Sequence, residues 1–449
     1  MRTIKLLAFL LAVPTALFAD DISVTVYNSN LGVVSELRTL KFEKGTNSIA
    51  FRDVPAMIDA NSVGFTVEGK RNIDILEQNY AYDLVSPDKM YQKYIDKEIE
   101  LIDKDGKLYS GTLLAYSSGA VTIQEKSGRI KIVLLANVSE VNFPSLPDGL
   151  ITRPTLFWKY NSDFSGDVPC RVGYQTAGIN WSAEYVALLD PKETQLDLSG
   201  WAAIDNQSGK TYQDATLKLV AGDIHRAQEP RYPSLRLDTM EKGYAAEAPG
   251  FQEKAFFEYH LYTLPRKATV ADKEIKQISL FEPATAKVAK IFRYQPDINP
   301  TAVDVAIRFT NSQATGLGMP LPAGRIRIFK ADVDQSRILL GEDWIKHTPK
   351  DEELTVVVGT AFDIAAEERT MTQTRVSQQV EDREMEIELR NRKETPVTVD
   401  VSKKLYGFWE ILTSNFEYKK KDANTIEFKI PVEANQKVIV KYKVRYTYR

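Results

Sequence analysis

The side chains best suited to chemistry are scarce in this chain. It has three histidines, His225, His260 and His347, and one cysteine, Cys170. His347 stands in the most suggestive setting, with Glu342, Asp343, Asp351 and Glu352 close by in sequence. A histidine beside carboxylates can relay protons or ligate a metal, but a metal site needs two or three converging ligands at paired spacing. No such spacing occurs, so neither a metal nor a cofactor is expected. Asp343 and His347 stand as candidate binding residues. Cys170 falls in an alternating pattern, where a lone cysteine behaves as a small hydrophobe rather than a nucleophile. Gly-x-Ser-x-Gly, His-Glu-x-x-His, a phosphate-cradling glycine loop and a dinucleotide fingerprint are all absent. A dispersed carboxylate pair cannot be selected from 61 acidic residues, so no catalytic residue is assigned.

Aromatic residues offer a second kind of chemistry. Trp158, Trp181, Trp201, Trp344 and Trp409, with 21 tyrosines, can stack on sugars or fill cores. Trp181 and Trp201 flank an expected strand at 183–189 and are the candidate pair for a glycan platform. That reading requires at least two tryptophans exposed on one face.

The elements that must position these residues are strands. Ile22, Val24 and Val26 alternate with Ser23, Thr25 and Tyr27, and the same period of two recurs through most of the chain. Ser86-Pro87-Asp88 interrupts it with a helix start, a capping serine before a proline suited to the first turn. Five short strands separated by Asp105-Gly106, Ser118-Gly119 and Ser127-Gly128 turns follow. A helix entering five short strands is similar to an SH3-like or Sm-like small barrel. In the last expected strand Val438, Val440, Tyr442, Val444 and Tyr446 share one face, and Lys437, Lys441, Lys443 and Arg445 share the other, read as solvated. Four expected strand ends carry an asparagine before a polar turn, at Asn28, Asn206, Asn311 and Asn391, which hints at repeated Ig-like modules.

The expected fold is mainly β: an N-terminal β-sandwich, an SH3/Sm-like small barrel, then a large Ig-like two-part β-sandwich region. The corresponding boundaries are 1–19 (leader), 20–85, 86–147, 148–300 and 301–449. A proline- and glycine-rich stretch at 226–254 reads as a mobile loop. The leader has basic Arg2 and Lys5, an apolar run at 6–13 and Ala16-Leu17-Phe18-Ala19, giving cleavage after Ala19. That run is too short for a membrane span of about 20 residues, and no later run approaches one. Export is therefore expected, with no membrane span after leader removal. The single cysteine excludes an intrachain disulfide, and a net charge of −3 gives no reason to expect nucleic acid.

Three segments carry a resemblance to the bacterial family known as domain of unknown function 4139. They are Trp181-Ser182-Ala183-Glu184-Tyr185 running through Asn206-Gln207-Ser208-Gly209 to Leu219-Val220-Ala221-Gly222; Leu317-Gly318-Met319-Pro320-Leu321-Pro322-Ala323-Gly324; and Leu389-Arg390-Asn391 before Pro396-Val397. The resemblance covers about residues 154–449, and Asp53-Val54-Pro55, Ile58-Asp59 and Gln78-Asn79-Tyr80 fit the usual N-terminal partner region. It implies an exported, envelope-associated β-protein and supplies no catalytic residues. The reading leans away from an enzyme, toward an envelope binding or scaffold protein with a protein or glycan partner. A β-sandwich hydrolase using His347, Asp343 and Glu342 and a carbohydrate-binding protein stay open as alternatives.

Overall fold

The computed structural model describes residues 21–69, 72–222, 252–256 and 259–448. The expected leader with Ala19, together with His225 and residues 226–251 of the expected loop, lies outside the described residues. The last three residues of that loop, 252–254, open the strand Gln252–Phe256.

The architecture is mainly β, as the alternation dictates. An eight-stranded sheet runs in the order Gln252–Phe256, Tyr259–Thr263, Tyr212–Ala221, Asp21–Tyr27, Leu31–Phe42, Gly166–Thr176 and Ile58–Val67, with Ala268–Val270 also paired to Tyr212–Ala221. A three-stranded sheet joins Gly45–Arg52, Thr155–Ser162 and Ile73–Ala81. A six-stranded sheet orders Glu274–Ser279, Gln195–Asn206, Ile179–Leu189, Gly324–Ala331 and Arg337–Ile345, with Ala284–Lys287 on the second of these. The inner faces of all three sheets share one core, in which Val24, Trp158, Val172, Trp181, Tyr185, Leu217 and Ile326 are buried. A nine-stranded sheet made from residues 289–447 has a second core around Tyr294, Ile387, Val401, Phe428 and Tyr442.

The expected separation of 20–85 from 148–300, and the boundary at 300, need correction. Asp21–Tyr27 pairs in parallel with Tyr212–Ala221, and Leu31–Phe42 pairs with Gly166–Thr176, so residues 20–85 do not form a sandwich of their own. Period-two alternation reports which face of a strand is buried; it does not report which distant strand lies alongside. The break at 300 falls inside a hairpin, since Ala289–Tyr294 pairs with Ala302–Thr310. Conversely, Gly324–Ala331 returns to the six-stranded sheet beside Ile179–Leu189.

The small barrel-like unit is an insertion between Ile73–Ala81 and Thr155–Ser162. Ser86 caps the helix Pro87–Lys93, accepting the Lys89 N–H at 3.4 Å. The five strands that follow are ordered Val138–Asn142, Glu98–Asp103, Leu108–Tyr116, Ala120–Gln124 and Ile130–Leu134, so the last strand returns beside the first. Tyr91, Ile99, Leu113, Val121 and Val133 fill a core separate from the others. The ends of the insertion meet where Leu84 bridges Ile151 and the Val85 N–H donates to the Ile151 carbonyl at 2.9 Å.

On Lys437–Thr447 the basic face is solvated, with Lys437 and Lys441 exposed, and it is also paired. The neighbouring strand Val380–Asn391 presents acids in register, giving rungs of Arg445 to Asp382 at 2.7 Å, Lys443 to Glu384 at 3.2 Å and Lys441 to Glu386 at 3.3 Å, while Lys437, opposite Arg390, reaches diagonally to Glu388 at 3.8 Å. Hydrogen bonds from Arg445 and Lys443 hold the Asp382 and Glu384 carboxyls below their ordinary values. No helix among the described residues is long and apolar enough to cross a membrane.

Two outcomes follow from these arrangements. Replacing residues 86–149 by a short Gly/Ser link should leave near-ultraviolet circular dichroism from buried Trp158 and Trp181 intact, with Tm little changed; collapse of that signal would mean the insertion is integral. A carboxyl depressed in the folded state stabilises it above the unfolded pKa of about 4, and that contribution is lost as pH falls. The urea midpoint should therefore hold steady from about pH 7 to 5 and drop below about pH 4. Asp382→Asn with Glu384→Gln should make that acid limb shallower, the remainder resting on Glu36 and other depressed carboxyls, measured as midpoint against pH.

Candidate functional site

The expected site residues do not converge. Asp343 is a structural clamp: its carboxylate accepts the N–H of Trp344 at 2.8 Å and that of Val357, on the strand Glu353–Arg375, at 2.8 Å. His347 Nδ1 accepts the Ala323 N–H at 3.1 Å, fastening the Gly-Pro loop at 316–324. Glu342 sits opposite Arg327 and pairs with it at 3.3 Å, whereas Asp343 sits opposite Ile326, so the two acids point to different faces of the strand. The trio suggested for a hydrolase is thereby dispersed. Among the described residues no group of three or more His, Cys, Asp or Glu is placed to hold a metal ion. Cys170 is buried, and desolvation, with Glu68 nearby, pushes its thiol up to about 12, which suppresses the thiolate.

The tryptophan pair is corrected in an informative way. Trp181 and Trp201 do share the six-stranded sheet, but on opposite faces. Trp181 is buried, donates Nε1–H to the Val220 carbonyl at 2.9 Å and meets Tyr262 edge-on. Trp201 falls between buried Gly200 and Ala202 and points outward, 39% exposed. Its outward companion is Trp344, 68% exposed, which the sequence reading did not select.

Strand register places these two tryptophans in one row. Trp201 sits opposite Glu184, Glu184 opposite Arg325, and Arg325 opposite Trp344. Directly paired residues project to the same side, and three strand steps put the two backbone positions about 14 Å apart. Between them Arg325 donates to Glu184 from Nε at 3.2 Å and Nη2 at 3.3 Å, and Arg327 donates to it at 2.8 Å. With the Arg327–Glu342 pair, the middle of the face holds two guanidinium groups and two carboxylates, electrically balanced. The outward phase of Trp201 is legible from its apolar neighbours Leu198, Ala202 and Ile204. Its partnership with residues 325 and 344 depends on a parallel pairing that no local pattern announces.

The Gly-Pro loop that marks the family resemblance is structural. Asn311, fully buried, donates its amide to the carbonyls of Met319 at 2.6 Å and Pro349 at 2.9 Å and accepts the Gly318 N–H. Tyr185 donates to the Pro322 carbonyl at 2.8 Å. Gly316, at φ 96°, has room for no side chain, since a Cβ would lie 1.9 Å from the Thr285 carbonyl oxygen. This loop aims Gly324–Ala331, and with it Arg325 and Arg327, along Ile179–Leu189.

The deepest ionisable cluster lies elsewhere. Glu36 and Lys210 are buried and paired at 2.6 Å, and Lys210 also donates to the Asp53 carbonyl at 2.6 Å. Arg38 and Tyr174 donate to the same carboxylate. Burial alone would raise the Glu36 carboxyl, but the Lys210 and Arg38 charges and these hydrogen bonds hold it below its ordinary value. Every Glu36 oxygen is engaged by protein, so the cluster is a fastening and not a reactive site.

The fold is thus a mainly β assembly of fused sheets with an exposed aromatic pair on the outer face of one of them. The chain belongs to the family described as Domain of unknown function (DUF4139), whose sequence model matches residues 170–448. A search of the curated proteins finds no match to it.

Removing one member of a buried ion pair strands the other, at a cost of about 3–5 kcal/mol. Lys210→Met should lower stability in urea denaturation by that amount, and Glu36→Gln in the same chain should restore a substantial part. Equal loss in the single and double variants would contradict this account of the cluster.

Proposed function

We propose that this chain is an exported bacterial cell-envelope protein that works by binding rather than catalysis, holding its partner on the outer face of the six-stranded sheet. One observation carries the reading: Trp201 and Trp344 are exposed on one face, in the same row as Arg325. A sheet face open to water is ordinarily polar, and exposed tryptophan with arginine is the composition enriched where proteins hold partners. The apolar run at 6–13 with its small-residue exit at Ala19 supports export, and the engagement of Asp343 and Glu36 by backbone and side-chain donors favours binding over catalysis.

The test is photo-crosslinking in cells, with a photoreactive amino acid replacing Trp344, Trp201 or, as a remote control, Tyr406, which is 66% exposed beyond the strand Val397–Lys404. Adducts from positions 344 and 201, recovered from the envelope fraction and absent from 406, are the expected result. Uniform labelling, or none at the sheet face, overturns the reading.

A further inference from the structure

We propose that the row Trp201–Glu184–Arg325–Trp344 takes a neutral glycan strand, laid across the sheet with a pyranose ring against each indole. The inference rests on the binding role proposed above and names the ligand class for that face. Its ground is the order of groups along the row. A protein interface concentrates aromatic anchors at a desolvated centre and leaves charge to the rim. Here the order is reversed: the exposed indoles stand at the ends, 39% and 68% exposed, and the charged groups lie between them. A protein partner would have to dehydrate the Glu184–Arg325 and Glu184–Arg327 pairs at the middle of its footprint, where burying charge is most costly.

A glycan reverses that difficulty. Its hydroxyl groups both donate and accept, so they can meet carboxylate oxygens and guanidinium N–H groups without stripping either of hydrogen bonds. The apolar C–H faces of its rings suit the flat indoles. Charge decides which glycan. Arg325 and Arg327 are matched by Glu184 and Glu342, the latter at 3.3 Å from Arg327, so the face offers no surplus charge to a uronic acid or a phosphorylated sugar. The spacing decides how much of it: indoles rooted about 14 Å apart engage separate rings of one strand, so a monosaccharide can reach only one of them.

The experiment titrates the full chain, following tryptophan fluorescence, with chitohexaose, cellohexaose and maltohexaose and with the matching monosaccharides. Sedimentation with purified peptidoglycan sacculi runs in parallel. Saturable binding of at least one hexasaccharide is expected, with the monosaccharides far weaker. Trp201→Ala and Trp344→Ala should each weaken it about tenfold, the size of one lost aromatic contact. Trp201→Phe should retain most of the affinity and Tyr406→Ala all of it. No binding to any of these probes, or binding indifferent to the double Trp201→Ala/Trp344→Ala variant, overturns the glycan assignment. A protein adduct captured by crosslinking from position 344 would likewise overturn it while leaving the binding role standing; absence of any face-specific adduct would remove both.

Discussion

The Glu36–Lys210 ion pair holds together segments that no local interaction would join. Glu36 belongs to Leu31–Phe42, and Lys210 sits in the turn after Gln195–Asn206. Asp53 offers its carbonyl to the same ammonium, while Tyr174 reaches in from Gly166–Thr176. Arg38 donates to Glu36 and to the Arg52 carbonyl at 2.8 Å, and lies 4.1 Å over the Phe51 ring. Burying these charges is unfavourable in itself and becomes tolerable only when every oxygen and N–H finds a partner. The requirement makes the arrangement selective: a misplaced strand would leave a charge stranded in the core. The N-terminal strands are thereby committed to the large sheet, as the strand pairing also records.

Buried asparagines repeat this logic at the other strand ends. Asn206 shares its amide among the carbonyls of Lys210, Val270 and Ala271, Asn311 among those of Met319, Thr348 and Pro349, and Asn391 among those of Thr395, Val432 and Glu433. In each case the side-chain oxygen accepts a backbone N–H further along, from Ser208, Gly318 and Lys393. Each asparagine satisfies the carbonyls that a strand leaves when it turns away, which is why all three are fully buried. Asn28, the fourth in the sequence pattern, is only half-buried in an ordinary turn. The recurrence is therefore a shared solution to strand termination in three places.

Local chemistry was legible in the sequence and distant pairing was not. Ser86-Pro87 marked the helix, the Asp-Gly and Ser-Gly turns marked the small meander, and alternation marked the buried faces of Cys170 and Tyr442. Where a single strand was interrupted by glycine or acids, it read as two elements with a turn. Gly341-Glu342-Asp343 has turn-like composition yet lies inside Arg337–Ile345, where Glu342 pairs with Arg327 and Asp343 accepts the N–H groups of Trp344 and Val357. Glu353–Arg375 runs unbroken through Gly359 and the acids Asp363, Glu367 and Glu368, and ends before the hairpin turn. Half of the exposed face was legible too: Trp201 is visible as a residue out of phase with its apolar neighbours. Trp344 is visible only once residues 324–331 are known to run parallel to 179–189, a contact across more than a hundred residues.

That long strand has a mechanical meaning. Leu354 and Val356 are built into the first core, and Ile364 and Ala366 into the second. One backbone, about 75 Å long if fully extended, thus serves as a beam common to both bodies, bonded to Ala302–Thr310 over its first half and to Val380–Asn391 over its second. The connection between the two cores is therefore a hydrogen-bonded strand and not a loop. The junction lies along 357–365, where the ladder to Ala302–Thr310 shifts register, so the continuous backbone changes partner and bends at the place where one core gives way to the next.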